Sequence, residues 1–317
     1  MINVAGNVAL QNVLATLEIE RKKIAATQKK GYLFTAIGIT VTIAGFALGF
    51  PVPAAITGLI LLVYGGVVLY KISDELKTYK ETFKIQVIGT ALKSLDDSLV
   101  IEPYKGILEY EFEATQIFSE TPDRYKTEDL VHGKADKTAF YFAEVHAEYK
   151  TEVQTKNGSR TEWHDIFRGI IFCADFNKNF NGVTIVKPKD LFSSVGAWFS
   201  KNLFSFGNKD VIALENSEFG KTFITHATDQ VEARYILTPA MMERILTLNS
   251  NTKETVSLSF INSRMYIAFP LSRNYFEAPV FKTLLNPELL NDDITVIKFM
   301  YDIVRELDLN TRIWGKN

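Results

Sequence analysis

The chain has 317 residues, with 35 Lys plus Arg against 37 Asp plus Glu and a net charge of −2. That balance argues against nucleic acid as the main partner, because phosphate binding requires a basic excess on one face. The lone cysteine, Cys173, excludes an intrachain disulfide and fits a reducing compartment; with only four histidines, a structural zinc site of the usual kinds is not expected.

Residues 1–30 read as an amphipathic helix. Leu10, Val13, Leu17 and Ile24 recur at near-helical spacing, with Glu18, Glu20, Arg21, Lys22 and Lys23 between them. No secretory leader is expected, since the first apolar run begins only at Gly31. Ile2 leaves no myristoylation signal.

From Gly31 to Tyr70 there is no Asp, Glu, Lys, Arg or His. A soluble domain rarely hides so long an uncharged run, because every face would need burial. Phe50-Pro51-Val52-Pro53 divides the run, since proline lacks a donor and stops the preceding helix. Tyr32–Gly49 and Ala54–Tyr70 are then two spans of roughly 26–28 Å each, matching a hydrocarbon core of ~30 Å. Arg21, Lys22, Lys23, Lys29 and Lys30 precede the first span; Lys71, Lys77, Lys80 and Lys84 follow the second. The positive-inside rule places both termini in the cytoplasm. Gly45 with Gly49, and Ala54 with Gly58, are spaced for close helix contact.

Ile72, Leu76, Tyr79, Phe83 and Val87 continue a helical period beyond the second span. The spacing predicts a helical stalk over 71–99, paired antiparallel with the N-terminal helix. For residues before Ile24 the alternative is a helix lying flat on the membrane.

The remainder, 100–317, is expected as a cytoplasmic α+β domain on antiparallel sheet with flanking helices. Thr138–Val153 alternates Tyr141, Ala143, Val145, Ala147 and Tyr149 with Glu144, His146, Glu148 and Lys150, the pattern of a strand with one buried face. Lys156-Asn157-Gly158-Ser159 is a hairpin turn, and Trp163–Phe176 the return strand. Centring the turn on Asn157-Gly158 pairs Val145 with Ile170, Tyr149 with Ile166 and Ala143 with Phe172. A turn at Asn179–Gly182 leads to Val183–Val186, so Thr138–Lys187 is expected as a three-stranded meander. Further strands are expected at Val211–Leu214, Phe223–Thr225, Thr255–Phe260 and Met265–Phe269. Thr238-Pro239 opens a helix to about Leu248, and Asp292–Leu307 is a final helix.

The uncharged hairpin is followed by Arg124-Tyr125-Lys126-Thr127-Glu128-Asp129, Gly133, Phe142–Val145, Phe167-Arg168-Gly169, Phe176-Asn177-Lys178 and Val231–Pro239. In that order these segments resemble a bacterial membrane protein family, domain-of-unknown-function family 3137. The resemblance implies a bacterial membrane protein, placed in the cell inner membrane. It carries over no catalytic residues.

His146 and His164, with Glu144 and Asp165, invite a metal hypothesis. In the register above the two histidines lie on opposite faces, so no metal site is expected. Cys173 falls beside Phe142 as a buried thiol. Glu128 and Asp129 near His132 read as solvated loop carboxylates, and Arg234 pairs with Glu232 or Glu243. There is no phosphate-binding glycine loop, no GxSxG and no HExxH, so no catalytic residue and no cofactor is expected.

Leu191–Phe206 is the oddity. Phe192, Trp198, Phe199, Phe204 and Phe206 stand among Lys187, Lys189, Lys201 and Lys209. The segment suits an interfacial helix, a docking surface for a partner protein, or a helix closing over the sheet. The expected function is a membrane-anchored, non-enzymatic interaction module binding a protein partner or lipid. The alternative is a membrane-bound enzyme or small-ligand receptor with a pocket around Glu144, His146 and Asp175. Transport is disfavoured, because two spans without an intramembrane charge form no pathway unless many copies assemble.

Overall fold

The computed structural model describes residues 8–155, 158–176, 178–189, 210–286 and 288–309. The chain packs as two compact units. The first joins the residues up to Ala91 to the distant segment Phe276–Ile294; the second holds Leu92–Tyr275 and the chain from Thr295 onward.

In the first unit, α1 (Val8–Ala47) is one unbroken helix. It is about 60 Å long at 1.5 Å per residue. Gly49 ends it at φ +83°, a conformation glycine adopts without strain. α2 (Pro51–Lys71) starts on a proline in its first turn, where the missing N–H costs nothing. The helical course resumes through α3 (Ser73–Thr82), a π-helical turn (Phe83–Ile88) and α4 (Gly89–Lys93).

α1 and α2 meet through small residues. A Cβ on Gly58 would lie 1.9 Å from Thr42 Oγ1, and one on Gly45 would lie 1.9 Å from the Ala54 methyl. The Thr35 and Thr42 hydroxyls donate back to the carbonyls of Gly31 and Gly38 at 3.0 and 2.9 Å, so neither is left without a partner. Of the two expected glycine steps, Gly45, Ala54 and Gly58 line this seam, whereas Gly49 serves the turn and a Cβ there would meet nothing within 4 Å. On the outer faces Leu33, Ile43, Phe46, Leu48, Ile56 and Ile60 are all more than half exposed. Both helices are long and apolar enough to cross a membrane.

Before Gly31 the helix changes character. Leu10, Leu14, Leu17, Arg21, Ile24 and Gln28 form one buried stripe, and α1 packs there against α3 and the π-helical turn through Tyr79, Phe83 and Val87. Glu18 and Arg21 sit within this stripe, 3% and 8% exposed. Arg21 Nε and Nη2 donate to the two Glu18 oxygens at 2.8 and 2.9 Å. The remaining valences go to the segment Phe276–Ile294. Arg21 Nη1 donates to the Val280 carbonyl at 2.6 Å. The Leu284 N–H and the Thr283 hydroxyl donate to Glu18 at 2.9 and 3.1 Å. The Tyr79 hydroxyl reaches the Pro279 carbonyl at 2.7 Å, and Lys80 and Lys84 each lie 3.2 Å from Glu277. This strap is thus fastened to both stalk helices by charge-assisted hydrogen bonds.

The second unit is α+β. Among the described residues, nine strands form one antiparallel sheet in the order β1-β2-β3-β4-β9-β8-β5-β7-β6. They are β1 (Val100–Glu102), β2 (Arg124–Ala135), β3 (Thr138–Thr155), β4 (Gly158–Asp175), β5 (Thr184–Pro188), β6 (Asp210–Ile212), β7 (Phe223–Ala227), β8 (Ser257–Ile261) and β9 (Arg264–Pro270). One face of the central strands, carrying Ala143, Val145, Ala147, Phe167, Ile171 and Tyr266, packs under Ile107, Phe112 and Ile117. The other face meets the helix Asn291–Glu306, where Phe299 contacts Phe269 and Tyr301 contacts Phe140 edge-on. The helix Pro239–Ser250 is capped by the Thr238 hydroxyl on the Met241 N–H, as its Thr-Pro opening predicts.

Two expectations fail here, and one strand has no counterpart among them. The expected meander does not form: β5 pairs with β7 and β8, and the central meander is β2-β3-β4. β2 was not foreseen, because its Arg, Lys, Glu and Asp content masks its alternation. The hairpin register also differs. Thr155 stands opposite Gly158, Glu148 opposite Asp165, and then Ala147 opposite Phe167. This pairing does not fit a turn centred on Asn157-Gly158, whose residues 156–157 lie outside the described ones, and a bulge at Ile166 shifts the base of the hairpin by one residue. Val145 consequently faces Gly169, and Ala143 faces Ile171.

Arg21 beside Glu18 holds its carboxyl at about 2, against an ordinary 4.5. A depressed folded-state pKa means that this stabilisation is complete above 4.5 and is lost as the pH falls from 4.5 through 2. Glu18→Ala, which strands Arg21, is expected to cost about 3–5 kcal/mol. The double replacement Glu18→Leu with Arg21→Met should recover much of that loss. Thermal unfolding in detergent at pH 7 measures both effects. After correction for the intrinsic exchange rate at each pH, amide protection in the strap should be weaker at pH 3 than at pH 7 and weaker again at pH 2; equal protection at all three would contradict the assigned role of the pair.

Candidate functional site

The corrected register builds a charged face on the outer half of the meander. β-strand side chains alternate, so Glu144, His146 and Glu148 of β3 share one face. Three cross-strand rows result: Arg124–Glu148–Asp165, Lys126–His146–Arg168, and Glu128–Glu144–Ile170. The bulge at Ile166 brings Asp165 onto this face, where its Oδ1 lies 2.7 Å from His146 Nε2. Arg124 holds Glu148 Oε2 at 3.1 Å while its guanidinium lies 3.9 Å from the Trp163 ring centre. Glu128 and Glu144 oppose each other directly, which is unfavourable in isolation. Lys126 relieves Glu128 at 2.8 Å, and the Tyr275 N–H donates to the buried Glu144.

A cavity of about 210 Å³ opens beside this face, lined by Lys126, Glu144, His146, Arg168, Arg273 and Asn274 among others. Arg168 Nη2 donates to Asn274 at 3.0 Å, and Arg273 lies 4.7 Å from the Tyr275 ring centre. A Cβ on Gly169, which also borders the cavity, would lie 2.0 Å from the Phe269 carbonyl, so the close approach of β9 has room only for glycine here. Opposite charges compensate one another around this space. Its described lining contains no hydroxyl or thiol that the imidazole could activate.

Glu144 and His146, expected in one pocket with Asp175, do line this cavity together. Asp175 does not; it lines a second cavity of about 560 Å³ with Cys173, Tyr141, His132 and Arg264. His164 lies on the opposite face from His146, bonded to Thr151 Oγ1 at 2.9 Å and stacked on Tyr149. His132 lies 3.3 Å from Glu102; Glu128 and Asp129 stand with it on β2 rather than on a loop, and Asp129 is buried rather than solvated. Arg234 reaches Glu215 at 3.5 Å and the Ala213 carbonyl, while Glu232 accepts from the N–H groups of Asn181 and Gly182. Phe192, Trp198, Phe199, Phe204 and Phe206 lie outside the described residues. Lys126, Glu148, Arg168 and Arg273 were missed as site residues. For Lys126 the signal exists in the alternation of Tyr125 and Thr127 with Arg124, Lys126 and Glu128.

Cys173 lies on the first sheet face opposite Tyr141, not beside Phe142, because of the one-residue shift. It forms part of a buried polar group: the Tyr141 and Tyr266 hydroxyls both donate to Glu111 Oε1. Burial pushes the Cys173 thiol up to about 12, and burial likewise raises Tyr141 and Tyr266. This arrangement pins the helix Glu109–Ala114 to the sheet.

These features can be set beside known proteins. Residues 165–309 match the model of a family described as protein of unknown function (DUF3137). The matched stretch runs from β4 through the last helix, a narrower span than the motifs scattered along the whole chain. No curated protein matches. The crystal structure of the mycobacterial trehalose monomycolate transport factor A, TtfA, aligns at 10% identity and a TM-score of 0.37, covering 72% of this chain and 94% of that one. So loose a likeness supports no shared function.

The Cys173 environment makes a direct prediction. At pH 8 iodoacetamide should alkylate the native thiol more than about a thousandfold slower than a free cysteine, because almost none is thiolate. Labelling should become complete in guanidinium. Rapid native labelling, read by intact mass, would refute the burial.

Proposed function

We propose that this protein is a membrane-anchored, non-enzymatic interaction module. The observation that carries the reading is the α1–α2 hairpin, whose outward faces are apolar while its small residues are turned inward to the helix seam. Water would penalise that exposed surface at about 25 cal/mol per Å², whereas lipid tails do not. Lysines and arginines flank both ends of the hairpin and the turn is uncharged, which supports both termini lying on the cytoplasmic side of an inner membrane. The sheet unit is then held near the bilayer to receive a protein partner or lipid. The aromatic segment Leu191–Phe206, with lysines around it, is the proposed contact.

A second reading rests on the cavity beside the charged face. A space of about 210 Å³ bordered by Lys126, His146 and Arg168 suits a small polar ligand. It would make the sheet unit a membrane-bound receptor.

Two measurements test the main reading. The full-length chain should stay in the membrane fraction through carbonate extraction and require detergent for release; a soluble monomer without detergent would end it. Replacing Trp198, Phe199 and Phe204 together with serine should reduce co-purification of the partner at least tenfold while leaving the circular dichroism unchanged. Equal recovery would remove this segment from the contact.

A further inference from the structure

We propose that His146, Glu148 and Asp165 form a binding site for one divalent transition-metal cation, of the Zn²⁺ or Co²⁺ kind. One ligand atom from each side chain lies within 4.8 Å of the others. The backbone sets this up. His146 and Glu148 are two apart on β3 and so share a face, and Asp165 stands directly opposite Glu148 on β4. Asp165 shares that face with the row of His146 and Arg168 only because of the Ile166 bulge. Bulges of this kind recur beside functional sites, where they re-aim a side chain.

The two carboxylates favour a cation, against the flanking Arg124, Lys126 and Arg168. Two carboxylates placed directly across a strand pair repel each other. Arg124 engages Glu148 through Oε2 alone, at 3.1 Å, and a carboxylate has a second oxygen to offer. His146 Nε2 and Asp165 Oδ1, now 2.7 Å apart, would separate slightly to ligand spacing around a metal. Asp165 and His146 are accessible, with side chains 61% and 35% exposed, so an ion can enter and keep water in its remaining positions. One imidazole with two carboxylates selects a borderline cation over Mg²⁺ or Ca²⁺, which prefer oxygen ligands alone. This site does not depend on the membrane reading, and it differs from the expected histidine pair: His164 lies on the other face.

Titration of the detergent-solubilised full-length protein with ZnCl₂, by calorimetry, tests the assignment. One saturable site per chain is expected. Substituting Co²⁺ should give the visible absorption of a nitrogen- and oxygen-ligated ion, without a thiolate band. His146→Ala, and separately Asp165→Asn, should each weaken binding at least tenfold. His164→Ala should bind as the wild type does. Should His146→Ala fail to fold, Asp165→Asn, at a well-exposed position, and Glu148→Gln, which keeps the side-chain size, decide the matter. Binding that survives these replacements, binding lost with His164→Ala, or no saturable site at all would each overturn the proposal.

Discussion

The buried Glu18–Arg21 pair organises the helical unit. A carboxylate and a guanidinium withdrawn from water are tolerable only when every donor and acceptor is used. The helix itself supplies their mutual contact, since residues three apart face the same way. It cannot supply the rest. Val280, Thr283 and Leu284 do so, from the far end of the chain. Apolar contacts alone would let the strap slide along the stalk. A set of directional hydrogen bonds admits one position.

α1 presents two different surface chemistries along one continuous rod. Its first half buries a single stripe and turns Lys22, Lys23 and Glu20 outward, as a helix beside water does. From Gly31 onward it carries no charge on any side and keeps its small residues for the seam with α2. No break in the helix marks the change. The composition of the side chains is the whole signal, and the same switch recurs in reverse across Ile72, where α2 gives way to the charged α3.

Much of the architecture is legible in the sequence, and the reasons differ by element. The uncharged stretch, the Thr-Pro helix start and the alternation of β3 are local patterns, so each is readable within a short window. Register is not local in that sense. It depends on where the hairpin turns and on an extra residue at Ile166, and neither leaves a trace in the hydrophobic pattern. A one-residue error then moves Cys173 to the other face and separates Asp175 from Glu144 and His146. β2 escaped notice because its outward positions are charged on a face that carries a charged lattice. The strap is the least legible element: Phe276–Ile294 has no periodicity, and its partners lie more than 190 positions away.

That separation gives biosynthesis an order. Tyr79 and its acceptor Pro279 are 200 residues apart. At ~5–20 residues per second, the ribosome needs roughly 10–40 seconds to deliver the second after the first. For that interval the nascent stalk must keep a charged pair whose closing ligands do not yet exist. A chain terminated early, anywhere before the strap, would leave Glu18 and Arg21 half-satisfied. Completion of the helical unit therefore waits on translation through Leu284.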